Sequence, residues 1–154
     1  MKALSVKQPW ACLIVEGIKP IEIRSWATDH RGPLLVCASA SPKNTFWRDS
    51  RDNEIRLMHA GCMIGIVNLV DVRKMRKADE EDSISDYDSS AYSWVTEPVS
   101  FVRPDKLLGK LRLFDVPDRS IVRIANDETD WIFNYPAPQG EIRYNPKTCD
   151  LLNI

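Results

Sequence analysis

The stretch from Cys62 to Arg73 is the sequence feature that most constrains the fold. Its twelve residues, CMIGIVNLVDVR, are mostly aliphatic and contain no proline. This pattern is typical of a long β-strand, and a strand requires partners in a sheet. Gly65 lies within the run and predicts either a β-bulge or the close approach of another backbone segment.

The N-terminal residues predict a strand followed by a helix. Residues 3–7 alternate well enough for a short strand. Residues 9–16 have Trp10 and two aliphatic residues at helical spacing, so Trp10 is predicted to lie in the core. Gly17 then supplies the left-handed residue that commonly ends a helix.

After Gly17 the pattern changes from helical to twofold. Ile21 and Ile23 are predicted to share one face of a strand. The other face then carries three side chains of different chemistry: Glu22, Arg24 and Trp26.

Four further segments resemble strands and one resembles a helix. The apolar run 34–38 predicts a strand buried on both sides. Ser41 and Pro42 resemble a helix start, and charges of alternating sign at fourfold spacing predict a helix to His59.

Three short strands are predicted over Tyr92–Thr96, Val99–Arg103 and Leu111–Val116. The charged stretch between Arg73 and Ser90 is interpreted as a solvated loop.

These elements predict an α+β fold, a small, partly closed mixed β-barrel flanked by short helices. With 154 residues the chain is expected to form one core. Residues 1–118 are assigned to the domain and 119–154 to a C-terminal extension packed on it. The aromatic residues near Trp131 in that extension either stack on bases or are simply buried, and burial is the preferred interpretation.

Composition excludes several classes of function. No apolar run is long enough to cross a bilayer and no secretory signal is present, so a cytoplasmic protein without a membrane partner is expected. The four cysteines are widely spaced and no metal centre or cofactor is predicted. Net charge is −1, but residues 1–77 hold 13 Lys and Arg against 7 Asp and Glu, while residues 78–154 hold 8 against 15. Such asymmetry favours polyanion binding on one side.

Lys19, Glu22 and Arg24 form the constellation with the clearest chemistry. Glu22 and Arg24 are two residues apart on a strand, so their side chains leave one face about 6.6 to 7 Å apart. A carboxylate between two cations stays ionised and can orient them towards an anionic ligand. Trp26 adds a flat surface suited to stacking an unpaired base. The structural alternative is an ordinary Glu22–Arg24 ion pair, with Trp26 covering the end of the barrel.

The residues LSVKQPWA at 4–11 and GIKPIEIRSW at 17–26 resemble the start of an ASCH (ASC-1 homology) domain, whose hallmark is G-x-K-x-x-E-x-R. Later features follow in the order typical of that family, so the resemblance covers roughly residues 3–118. It implies a PUA-like barrel with a cleft beside the motif, and RNA or another nucleic acid as partner. The implied nucleic-acid-binding residues are Lys7, Gln8, Lys19, Glu22, Arg24 and Trp26.

Two other functions remain open. The first is a hydrolase acting on RNA or a modified nucleoside, with Lys19 as catalytic base or nucleophile and Glu22 positioning water. Relatives resembling amidohydrolases of an acetylated cytidine pair the lysine with a hydroxyl residue three positions later, where this chain has Glu22. The second is a protein-interaction domain whose C-terminal aromatic residues bind a partner. The sequence does not indicate an oligomeric state.

Overall fold

A six-stranded mixed sheet forms the centre of the molecule. In the computed structural model the described residues are 1–41, 45–48, 55–125, 142–145 and 150–153. The sheet has the strand order β2-β7-β6-β3-β1-β8 and curls into a half-barrel. Its strands are β1 (Lys2–Val6), β2 (Ile21–Arg24), β3 (Gly32–Ala38), β6 (Cys62–Lys74), β7 (Tyr92–Phe101) and β8 (Leu113–Asp115).

Helix α1 (Trp10–Glu16) packs against the sheet, chiefly on β6, β7 and β3. The five consecutive residues 11–15 are all buried, so the helix is enclosed on nearly all sides rather than on one apolar face. Gly17 ends the helix at φ 82°, donating its backbone N–H to Ile14. The core that results includes Leu13, Ile14 and Trp94. Two α-helices are described, α1 and the short α2 (Glu80–Ser83), and the α+β class is confirmed.

The long strand predicted from Cys62 is confirmed as β6, which pairs with β3 and β7. Gly65 marks a close approach. A Cβ at this position would overlap the Val15 side chain of α1 and lie 2.8 Å from the Ser100 carbonyl oxygen of β7. Glycine therefore lets the helix and the neighbouring strand pack directly on β6.

The two strands predicted on either side of Pro98 are one strand, β7. Pro98 lacks an N–H and normally interrupts a sheet ladder. Here the β6–β7 register shifts between Ile66 and Val67, opposite Ser100 and Pro98. This irregularity lets β7 continue through the proline.

The helix predicted from Ser41 to His59 is wrong. The chain instead forms β4 (Thr45–Arg48) and β5 (Ile55–Met58), which pair antiparallel. With β9 (Ile142–Asn145) and β10 (Asp150–Asn153) they make a second sheet in the order β5-β4-β10-β9. Charge pairs at fourfold spacing stabilise a helix by only about 0.2 to 0.5 kcal/mol each, and the aromatic and β-branched residues in β4 favour an extended chain.

The charged segment after β6 is structured rather than a simple solvated loop. A 3-10 turn over Lys77–Asp79 leads directly into α2. Asp79 is buried and accepts two hydrogen bonds from the Arg73 guanidinium, at 2.6 and 2.8 Å. It also accepts hydrogen bonds from the Arg76 N–H and the Ser93 hydroxyl. One carboxylate therefore fixes this segment to β6 and β7.

The start of the predicted C-terminal extension lies against the main sheet. Ile124 donates its backbone N–H to Phe101 and packs on the core. The aromatic residues near Trp131 lie outside the described residues, so their role stays a prediction. Within the described part of the chain, no helix is long and apolar enough to span a membrane.

Candidate functional site

Lys19 lies at the entrance to β2 and is almost completely buried, with 3% of its surface exposed. Its ammonium donates hydrogen bonds to the carbonyl oxygens of Ile21 at 2.7 Å and Ser83 at 2.6 Å. Burial lowers the pKa of Lys19, while the Glu22 carboxylate opposes that shift and Arg24 adds to it. The lysine therefore joins the motif strand to the end of α2.

Glu22 pairs with Lys19 rather than with Arg24. Its Oε1 lies 3.9 Å from the Lys19 Nζ and accepts the N–H of Ile23 at 2.8 Å. Arg24 donates instead from NH2 to the Ser5 carbonyl oxygen at 2.9 Å. The Arg24 Nε is buried and has no hydrogen-bond partner among the described residues. The anticipated Glu22–Arg24 ion pair is therefore absent from the described structure.

Two adjoining cavities lie on either side of Glu22, which lines both of them together with Trp10 and Ile23. The larger, of about 980 Å³, is called the acidic cavity. One lysine and four carboxylate residues are among its lining residues: Lys19, Glu22, Glu80, Glu81 and Asp86. A phosphate would be repelled from most of this surface.

The smaller cavity, of about 670 Å³, is called the basic cavity. Its charged lining residues are one carboxylate, Glu22, and four cations: Lys7, Arg24, Lys110 and Arg112. They come from the end of β1, from β2 and from the turn before β8. Pairing of β1 with β8 brings Lys7 near the turn, and the curl of the sheet brings β2 back to β1, where Arg24 contacts Ser5. A cavity with this charge balance attracts an anion.

Two tryptophans line the basic cavity. Trp26 packs edge-on against the buried Trp94, with ring centroids 4.7 Å apart and an interplanar angle of 78°. The Arg112 guanidinium lies 5.3 Å from the Trp26 ring centroid, in cation–π range. Trp10, the first residue of α1, packs against the main core as predicted, but it is only half-buried and also lines both cavities.

The two remaining predicted site residues, Lys7 and Gln8, have different surroundings. Lys7 is exposed and lines the basic cavity. Gln8 is buried, and its amide donates to the Cys12 Sγ at 3.0 Å and to the His59 carbonyl oxygen at 2.8 Å. Its Oε1 accepts the backbone N–H of Cys12, which stabilises the start of α1. Gln8 lines neither cavity.

Sequence reasoning missed several residues of the two cavities. Lys110 and Arg112 follow a glycine turn and have no periodic pattern that separates them from any surface cation. The acidic residues Glu80, Glu81 and Asp86 belonged to a charge run interpreted as solvated loop. The backbone of Ser83 has no sequence signature, although its carbonyl oxygen accepts a hydrogen bond from Lys19.

Three cysteines lie in the described part of the chain, and all three are buried. Burial raises the pKa of Cys37 to about 12 and that of Cys62 to about 11, and it also raises the pKa of Cys12. Such thiols are poor nucleophiles and poor metal ligands. Among the described residues there is no cluster of three or more His, Cys, Asp or Glu side chains suited to a metal ion.

Comparison with known proteins identifies the family and the fold. The ASCH domain model matches residues 4–104. Activating signal cointegrator 1 from Homo sapiens is 38% identical over 89 residues, and the same protein from Mus musculus is 36% identical over 100 residues. These matches cover 51% and 56% of this chain but only 15% and 17% of the relatives' lengths.

The crystal structure of ASCH from Zymomonas mobilis superposes with a TM-score of 0.54 at 12% identity, covering 86% of this chain and 95% of that one. The crystal structure of a point mutant of that protein gives the same TM-score at 11% identity, covering 86% of this chain and 98% of the mutant chain. At this identity the likeness concerns the fold alone, and it confirms the predicted PUA-like α+β architecture.

Proposed function

Because the chain belongs to the ASCH domain family, we propose that it binds RNA or another nucleic acid and holds a nucleotide in the basic cavity beside the G-x-K-x-x-E-x-R motif. The observation that carries the proposal is the convergence of four cations and two tryptophans on one cavity, in a chain whose net charge is −1. A net charge near zero does not by itself lead to four cations around one cavity. A ligand with both a phosphate and a flat base matches it.

The cations have separate roles in this proposal. Arg24 is held by the Ser5 carbonyl oxygen, so its guanidinium is preorganised beside the cavity. Lys7, Lys110 and Arg112 lie in more exposed positions and meet the sugar-phosphate backbone. Trp10 and Trp26 supply the surfaces on which a base stacks.

Lys19 and Glu22 have a supporting role. The Lys19 ammonium already donates to two backbone carbonyls, so it contributes positive potential and holds the α2 segment in place. Glu22 stands at the junction of the two cavities and confines the phosphates to the basic side. The bound strand therefore runs along the basic cavity and does not continue into the acidic one.

Binding of a fluorescent single-stranded RNA, measured by anisotropy as salt is increased, tests the proposal. A cavity with few cations neutralises two or three phosphates, so the log–log salt slope is expected to be about −2. Arg112→Ala should weaken binding and reduce the slope by about one. Lys106→Ala is the matched control, since Lys106 is an exposed cation of the same connection that lines neither cavity.

Equal RNA affinity in the wild type, Arg24→Ala and Arg112→Ala would refute the proposal. Single-stranded DNA of the same sequence and the free nucleotides, measured alongside, identify the class of ligand. A slope much steeper than expected would require a wider basic surface than this cavity offers.

A second candidate function is hydrolysis of a modified nucleoside, because the acidic cavity repels phosphate and suits an uncharged nucleoside better than RNA. It is favoured by one observation, the lowered pKa of Lys19 in the wall of the 980 Å³ acidic cavity. A neutral amine there would serve as a general base. Turnover that Lys19→Arg abolishes while RNA binding is retained would support this function, and the pH profile should follow the lysine's titration.

A further inference from the structure

The turn before β8 displays two exposed leucines among cations. Leu108 is 74% exposed and Leu111 is 96% exposed. Leu111 stands between Lys110 and Arg112 in the sequence, and all three line the basic cavity, whereas Leu108 does not. Isolated surface leucines are common, so exposure alone carries no inference. The position of Leu111 at the rim of a cationic cavity distinguishes it from Leu108.

The backbone holds Leu111 between two fixed points. On one side, a Cβ at Gly109 would overlap the Ser5 side chain of β1, so this glycine lets the turn pack closely against the sheet. On the other side, Arg112 has a positive φ of 59° and its guanidinium lies over Trp26. Leu113 then enters β8 opposite Leu4. These contacts restrain the backbone on both sides of Leu111, while its side chain stays exposed.

We propose that Leu111 is a wedge that inserts between adjacent bases of the bound strand and directs one unstacked base towards Trp10 and Trp26. Apolar side chains flanked by cations unstack base steps in this way, because the cations hold the backbone while the apolar group replaces a stacking contact. The proposal rests on the nucleic-acid binding argued above. It adds that the ligand is a strand of stacked bases, since a lone nucleotide gives a wedge nothing to separate.

The geometry of the cavity favours this arrangement over a simple phosphate contact. Leu111 adds an exposed apolar side chain to a lining that holds four cations, and a base is the apolar part of a nucleotide. The two half-buried tryptophans line the same cavity and accept the displaced base. Stacking on them offsets the free energy lost on unstacking.

The test uses single-stranded RNA with an internal 2-aminopurine, whose fluorescence rises when it loses its stacking neighbours. The wild-type chain should raise the fluorescence on saturation. Leu111→Ala should cut that rise about threefold or more, with a smaller fall in affinity, because the cations that hold the backbone are unchanged. Leu108→Ala is the matched control and should behave as wild type. Both side chains are exposed, so folding should be unaffected.

The outcomes separate the two proposals. A full fluorescence rise with Leu111→Ala would overturn the wedge while leaving nucleic-acid binding intact. Failure of the wild type to bind any RNA or DNA would overturn the proposed function, and the wedge with it. Self-association of the chain without RNA that disappears in Leu111→Ala would also overturn the wedge, since the leucine would then serve contact between copies of this chain.

Discussion

The Nζ atom of Lys19 donates a 2.6 Å hydrogen bond to the carbonyl oxygen of Ser83, a residue 64 positions further along the chain. This bond joins the motif strand to α2, which carries part of the acidic cavity. It also gives Lys19 a structural role, which the G-x-K-x-x-E-x-R motif alone did not predict. The shape of the acidic cavity therefore depends on a hydrogen bond between two segments that are far apart in the sequence.

Replacing Lys19 by Met should loosen the α2 segment. The substitution keeps an unbranched apolar chain but removes the hydrogen bonds to Ile21 and Ser83. The backbone N–H groups of Ile84 and Ser85 donate to Glu81 and Glu80, and hydrogen exchange at these amides should become faster. Lys106→Met removes an exposed lysine outside this segment and should leave the exchange unchanged. Unaltered exchange in Lys19→Met would contradict this role.

Asp79 should make stability depend on acidic pH. The Arg73 guanidinium beside it holds the pKa of its carboxyl well below the usual value. Because the pKa of aspartate is about 3.9 in an unfolded chain, this stabilisation is fully present above about pH 4. It is lost as the pH falls through the lower pKa of the folded state.

Asp79→Asn should lower the free energy of unfolding at neutral pH by about 3 kcal/mol, since it removes the carboxylate that the Arg73 guanidinium contacts most closely and leaves only Asp71 at 3.9 Å. Its stability should also vary less with pH below about 4 than that of the wild type. Urea denaturation over a pH series measures both effects. Asp105→Asn breaks an exposed pair with Arg103 and should change stability much less. Parallel acid profiles for wild type and Asp79→Asn would disprove the assignment.

Trp10→Ala should weaken RNA binding about tenfold, because stacking on an aromatic ring contributes roughly 1 to 3 kcal/mol per base. Trp10 is half-buried and lines both cavities, so its ring is accessible to a ligand. Titration followed by anisotropy gives the affinity. Tyr87→Ala, which removes an exposed aromatic side chain that lines neither cavity, is the control. Similar losses in both variants would argue against a specific stacking site.

Gly65→Ala should destabilise the protein by about 1 to 3 kcal/mol, because the added methyl group meets the Val15 side chain in a packed core. In the double variant Val15→Ala/Gly65→Ala part of this loss should be recovered. Recovery should be incomplete, since the Ser100 carbonyl oxygen also lies 2.8 Å from the new Cβ. A double-mutant cycle from denaturation curves measures the coupling. Strict additivity would show that the two residues do not compete for the same space.

Much of the central sheet could be predicted from local pattern. The β6 run, the helix that ends at Gly17 and the twofold segment from Ile21 each carry a periodicity that packing then uses. Prediction failed where a local signal was weaker than a tertiary one. Charges at fourfold spacing suggested a helix over 41–59, but strand pairing between β4 and β5 prevailed.

The candidate site was predicted only in part for a related reason. Lys7, Arg24 and Trp26 line one cavity, and their binding of a ligand stays a prediction. Gln8 does not, because its amide is used inside the fold, and Lys19 is buried under α2. A motif specifies the residue types, but it does not specify which of their polar atoms the fold already occupies.

The sequence by itself determined the class of fold, the resemblance to the ASCH family and a short cationic motif, because periodicity and motif spacing are local properties of the chain. Only the tertiary structure decided where the charge lies. The curl of the sheet brings β2 back to β1, so that Arg24 meets Ser5 and Arg112 lies over Trp26, and the Lys19–Ser83 bond brings the acidic α2 segment to the other side of Glu22. Electrostatic potential depends on distances in space, so a chain of nearly zero net charge presents two adjoining cavities of opposite sign.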